Sequence, residues 1–103
     1  MARRLFVVED SFLIKGRGLV PVPGIVPQGE EGFSVGDPIS LVRPDGSMLA
    51  WQIGGLEMIH TTVRRDDVVI LLTGLAKDEV PISTEVWSVD HAEPGAAAAG
   101  GGG

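Results

Sequence analysis

The chain has 103 residues, a formal net charge of −6, 44% hydrophobic residues and no cysteine. That length holds one domain, the hydrophobic share makes it globular rather than disordered, and the missing cysteine excludes disulfides and thiolate metal sites. The acidic balance weighs against nonspecific binding to phosphate backbones, which Lys and Arg drive.

Residues 1–4 read as a flexible start, 5–90 as one β domain and 91–103, rich in alanine and glycine, as a disordered tail. Met-Ala-Arg-Arg is followed by no long apolar region, so a secretory signal is not expected and the cytoplasm is the default compartment. The longest apolar run, 68–72, is far too short to cross a bilayer, so no membrane partner is expected.

Residues 5–24 (LFVVEDSFLIKGRGLVPVPG) predict two strands joined by a tight basic turn, Lys15-Gly16-Arg17-Gly18. Phe6, Val8, Phe12 and Ile14 fall on even positions and Glu9, Ser11 and Lys15 on odd ones, the period of a half-buried strand. Asp10 breaks that pattern. A carboxylate on an apolar face must lie at a rim, at a bulge or against a donor, and Lys15 and Arg17 are the nearest cations in sequence. Pro21 and Pro23 remove two amide donors from one edge of the second strand, which predicts a bulge or an open rim there.

Residues 25–36 form a turn-rich connection, 39–43 a short strand, and Pro44-Asp45-Gly46-Ser47 a strong turn. Residues 48–53 return with Leu49, Trp51 and Ile53 on one face, Gly54-Gly55 marks a bulge or close backbone approach, and 56–59 continue the sheet. A polar loop over 61–67 precedes Val68, Val69, Ile70, Leu71 and Leu72, a strand apolar on both faces. One of those faces would normally be wet, so a loop, the tail or a partner must cover it, and these five residues are candidates for a contact surface. Lys77-Asp78-Glu79 makes a turn before a closing strand over 82–89. No segment holds a helical period over ten residues. Many short strands with Gly/Pro turns predict an all-β barrel or sandwich.

The order of the pieces resembles the second domain of translation GTPases of the elongation factor Tu type. Val8-Glu9-Asp10-Ser11-Phe12 with Gly16-Arg17-Gly18 is similar to that family's Ile-Glu-Asp-Val-Phe and Gly-Arg-Gly-Thr. Val35-Gly36-Asp37 resembles its Val-Gly-Asp, and Gly55-Leu56-Glu57-Met58-Ile59 with Leu71-Leu72-Thr73-Gly74-Leu75 its Gly-Val-Glu-Met-Phe and Leu-Leu-Arg-Gly-Ile. The match spans roughly residues 5 to 89, in order. It implies a small closed antiparallel Greek-key β-barrel. The chain departs from the family at Pro21 and Pro23, in a shorter loop after Met58, at Thr73 in place of arginine, and at Pro81-Ile82-Ser83 in place of an Arg-Gly turn.

No phosphate loop is present, so guanine nucleotide binding is not expected. His60 and His91 have no acids at ligand spacing, and Ser47 lacks the glycines of a nucleophile elbow. Asp66, Asp67, Glu30 and Glu31 read as solvated loop charges, and Trp51 and Trp87 as core. Neither an enzyme nor a cofactor or metal site is expected. The candidate binding residues are Glu9, Asp10, Phe12, Lys15 and Arg17. In the resembling family the matching acidic pair and phenylalanine help form the pocket for the aminoacylated end of tRNA. A purely structural role, with Glu9 and Asp10 bonding backbone amides or Arg17, stands beside that reading. The function classes are therefore a non-catalytic module binding a protein or its own copy, or an RNA-binding module acting on tRNA or the ribosome. A carrier using the glycine tail as a conjugation handle is a further alternative.

Overall fold

The structure is a computed structural model that describes residues 2–59 and 67–89. The expected loop around 61–67 (apart from Asp67), the tail and both histidines lie outside the described residues. Among the described residues eight strands follow in order: β1 (Arg4–Val7), β2 (Asp10–Ile14), β3 (Gly18–Val22), β4 (Pro38–Val42), β5 (Met48–Gln52), β6 (Gly55–Ile59), β7 (Asp67–Leu71) and β8 (Glu85–Ser88). A single 3₁₀ turn, Lys77–Glu79, stands between β7 and β8. The all-β expectation holds.

All pairings are antiparallel. One sheet has the order β1-β8-β4-β5; β2 pairs with β3 and β6 with β7 in two hairpin sheets. Among the described residues no sheet closes on itself, but bonds run between them. Leu19 and Leu72 exchange bonds of 3.0 and 2.7 Å, and Ile25 and Val68 exchange two of 2.8 Å, laying β3 beside β7. Between these two bridges lie five residues on the β3 side and three on the β7 side, and the longer side holds Pro21 and Pro23. The missing N–H groups thus face β7, where the ladder is interrupted, and the Val22–Pro23 bond is cis.

Leu19, Ile25, Ile39, Leu41, Ile53, Ile70, Leu72 and Val86 are almost wholly buried and form one cluster with Leu5, Phe6 and Val8. Each such side chain contributes about 2 kcal/mol over its exposed state. Arg3 and Arg4, at the end of the stretch expected to be a flexible start, lie along the last strand. Arg4 opens β1, and Arg3 is bonded to Ser88 from both sides, its N–H to Oγ at 2.9 Å and its C=O to the Ser88 N–H at 2.9 Å. The closing strand is also shorter than expected, because Ser83 takes a positive φ of 77° in a turn that Thr84 N–H closes onto the Pro81 carbonyl at 3.1 Å.

Candidate functional site

The β2–β3 hairpin and its two ends carry the candidate residues Glu9, Asp10, Phe12, Lys15 and Arg17. Its strands pair from Asp10↔Val22 to Ile14↔Gly18. Arg17 N–H donates to the Ile14 carbonyl at 2.9 Å, and Gly16 has φ +79° at the third position of that turn, as in a type II turn.

Between β1 and β2 the chain changes partners. Val8 N–H donates to Thr84 beside β8 at 2.8 Å, and Glu9 N–H donates to Val22 of β3 at 2.9 Å. Glu9 and Asp10 thus both stand against Val22, which is a bulge, and the extra residue reverses the side-chain phase. The expected apolar face of Phe6, Val8, Phe12 and Ile14 is therefore split. Phe6 and Val8 are buried, the next inward residue is Ser11, and Phe12 is 53% exposed. Leu13 at 63% and Ile14 at 37% are exposed too.

Main-chain parity decides what the outer edge of β2 offers. Leu19 uses both its N–H and its C=O on Leu72, so it exchanges none with its opposite residue, Leu13. Pro21, opposite Ser11, has no N–H at all. The N–H and C=O groups of Ser11 and Leu13 accordingly point away from β3. Those of Ser11 are occupied: its N–H donates to Asp10 Oδ1 at 2.8 Å, and Lys77 Nζ donates to its carbonyl at 2.7 Å. Those of Leu13 have no partner among the described residues.

Of the candidate residues, Asp10 and Phe12 share one cation, and it is neither of those expected. Lys77 Nζ lies 3.7 Å from Asp10 Oδ1 and 5.8 Å from the centre of the Phe12 ring, a cation–π contact at the outer limit of its range. Arg17 turns instead to Glu57 of β6, at 3.0 Å with both side chains about half exposed. Such pairs contribute little to stability. Glu9 and Lys15 are exposed on the two ends of β2. Leu13, Ile14 and Lys77 are missing from the sequence-derived set. The run Phe12-Leu13-Ile14 carries a signal, because three successive apolar residues do not suit a half-buried strand; Lys77 carries none, being 66 residues from Ser11.

The five candidates on β7 and just beyond it are not a free surface. Val68, Val69, Ile70, Leu71 and Leu72 are all buried in this one chain, at 8% exposure or less. Backbone comes close to two of them at glycines: a Cβ on Gly24 would lie 3.5 Å from Val69 Cγ2, and one on Gly55 3.1 Å from Leu71 Cδ2.

Other sequence candidates have structural roles. Trp51 Nε1–H donates to the Thr73 carbonyl at 3.1 Å, and its ring lies against Gly74, beside a shallow hollow of about 330 Å³ at Ala50, Trp51 and Gln52. Ser47 donates its N–H and its hydroxyl to Asp45 Oδ1, at 2.9 and 2.7 Å; these bonds, the hydroxyl's first, hold the Asp45 carboxyl below its ordinary range. Glu31 is not merely solvated. It accepts from Arg3 Nε at 2.8 Å, and this bond lowers the Glu31 pKa and raises that of Arg3. Among the described residues no three His, Cys, Asp or Glu gather as metal ligands. No protein-family model matches the chain.

Proposed function

We propose that the chain is a non-catalytic protein-interaction module, built on a barrel like the second domain of elongation factor Tu-type GTPases, with β2 as its contact strand. The observation that carries this reading is one strand with Phe12, Leu13 and Ile14 exposed in a row and with the Leu13 main chain directed outward without a described partner. An exposed apolar edge of this kind is what an added strand needs: main-chain bonds give affinity and alternating side chains give specificity. The closed Greek-key arrangement is supported by the continuity of β1 into β2 and of β5 into β6. Each of these long bent strands passes from one sheet to the next, and the β3–β7 bonds join the remaining pair.

The test places a photoreactive residue at Leu13, and for comparison at exposed Val35, in the intact chain within its own cells. Protein adducts, whether to another copy or to a different protein, formed from position 13 and not from 35 are the expected result. RNA adducts at 13 would replace this reading with the RNA-binding one, and equal labelling at both positions would remove the special role of β2.

A further inference from the structure

Read from either end, β2 and its turn are complementary to themselves. Residues 9–17 run Glu, Asp, Ser, Phe, Leu, Ile, Lys, Gly, Arg, with acid at one end, base at the other and Leu13 at the centre. Leu13 is also the residue whose outward N–H and C=O lack a described partner. We propose that the partner of this edge is a second copy of the chain, added antiparallel about a two-fold axis through Leu13. This rests on the reading of β2 as a contact strand.

The register follows from the axis. Leu13 meets Leu13 of the second copy and exchanges both main-chain bonds with it, the hydrogen-bonded pair of an antiparallel ladder. Phe12 then stands opposite Ile14 on one face, twice over by symmetry, an aromatic–β-branched cross-strand pair. Ser11 stands opposite Lys15. The Ser11 carbonyl has a second lone pair, so Lys77 stays while the Lys15 N–H donates, and the Ser11 N–H exchanges Asp10 for the Lys15 carbonyl. Beyond these pairs, Glu9 and Asp10 of each copy approach Lys15 and Arg17 of the other. A parallel pairing in register would set acid beside acid, which selects the antiparallel arrangement. The centre is placed at Leu13 because both of its outward main-chain groups lack a described partner, whereas those of Ser11 are occupied. The interface is isologous, so it closes at two copies and leads to no filament.

Sedimentation equilibrium of the intact chain tests this, with circular dichroism to check each variant's fold. A dimer is expected as the concentration rises toward about 0.1 mM, weakening with added salt. Leu13→Pro removes an outward N–H without touching the β2–β3 ladder and should weaken the dimer at least about tenfold. Glu9→Lys and Lys15→Glu each set like charges together and should each weaken it about tenfold, whereas mixing these two variants should restore a dimer. If Leu13→Pro does not fold, the mixing result decides. A chain that stays monomeric up to about 1 mM, or a dimer that these changes leave intact, would overturn the proposal. Monomeric behaviour together with adducts from position 13 to a different protein would sink self-pairing while leaving β2 as the contact strand.

Discussion

Two glycines a turn apart in β2–β3 meet different demands. Gly18 has φ +143° and a Cβ there would lie 2.9 Å from the Leu72 carbonyl oxygen, so the residue lets β3 approach the chain just beyond β7. Gly16 has φ +79° and open space around it. Gly18→Ala should therefore destabilise by about 3 kcal/mol, because backbone has to move, and Gly16→Ala by about 1 kcal/mol from its φ alone. Denaturant unfolding of both variants measures the difference; equal losses would show that the close approach is not made. The Arg3–Glu31 pair is the charged contact with a defined pH signature. The depressed Glu31 pKa means that its contribution is present above the ordinary carboxylate value and is lost as the pH falls through the lower folded one. Glu31→Gln should cost about 0.5–1 kcal/mol at neutral pH and nothing once the carboxylate is protonated, so the stability difference between the two proteins should vanish on the acid side.

At the level of elements, strand positions were legible in the sequence and their environments were not. β4 and β5 follow from Pro44-Asp45-Gly46-Ser47, a turn whose residue types leave few alternatives, and Leu49, Trp51 and Ile53 do face inward. The phase of β2 escaped although Asp10 marked the place. A carboxylate on an apolar face fits a rim or a nearby donor as well as the bulge that Glu9 and Asp10 form, and only the bulge reverses the residues after it. The burial of both faces of β7 escaped because the backbone that approaches it, at Gly24 and Gly55, is far off in sequence and has no side chains to show in a pattern. Of the candidate site, Asp10 and Phe12 were legible, whereas their cation, Lys77, arrives from a turn that only the fold brings near. With both faces covered, Val69→Asp and Ile70→Asp should each unfold the protein, since an unpaired buried charge is costly wherever it points. Retained melting cooperativity in Val69→Asp would restore that face as a surface.

For the whole molecule, β2 is where exposed large apolar residues stand together: Phe12, Leu13 and Ile14 are consecutive, whereas Val26, Val35, Met48, Ile82 and Val89 are scattered singly. β1, β2, β5 and β6 each have one ladder neighbour, and β2 is the one among them on which three exposed apolar residues stand in a row, its outer edge met at Ser11 by Asp10 and Lys77. A net charge of −6 keeps copies apart in general, which makes a local match of acid and base the condition for contact. The claim that this edge is open is tested most directly by amide hydrogen exchange of the dilute chain, read residue by residue across β2. Phe12 and Ile14, bonded to β3, should be strongly protected, while the Leu13 amide exchanges near its unfolded rate. Protection of Leu13 equal to that of Phe12 would mean that the chain covers its own edge, and no partner strand could add there.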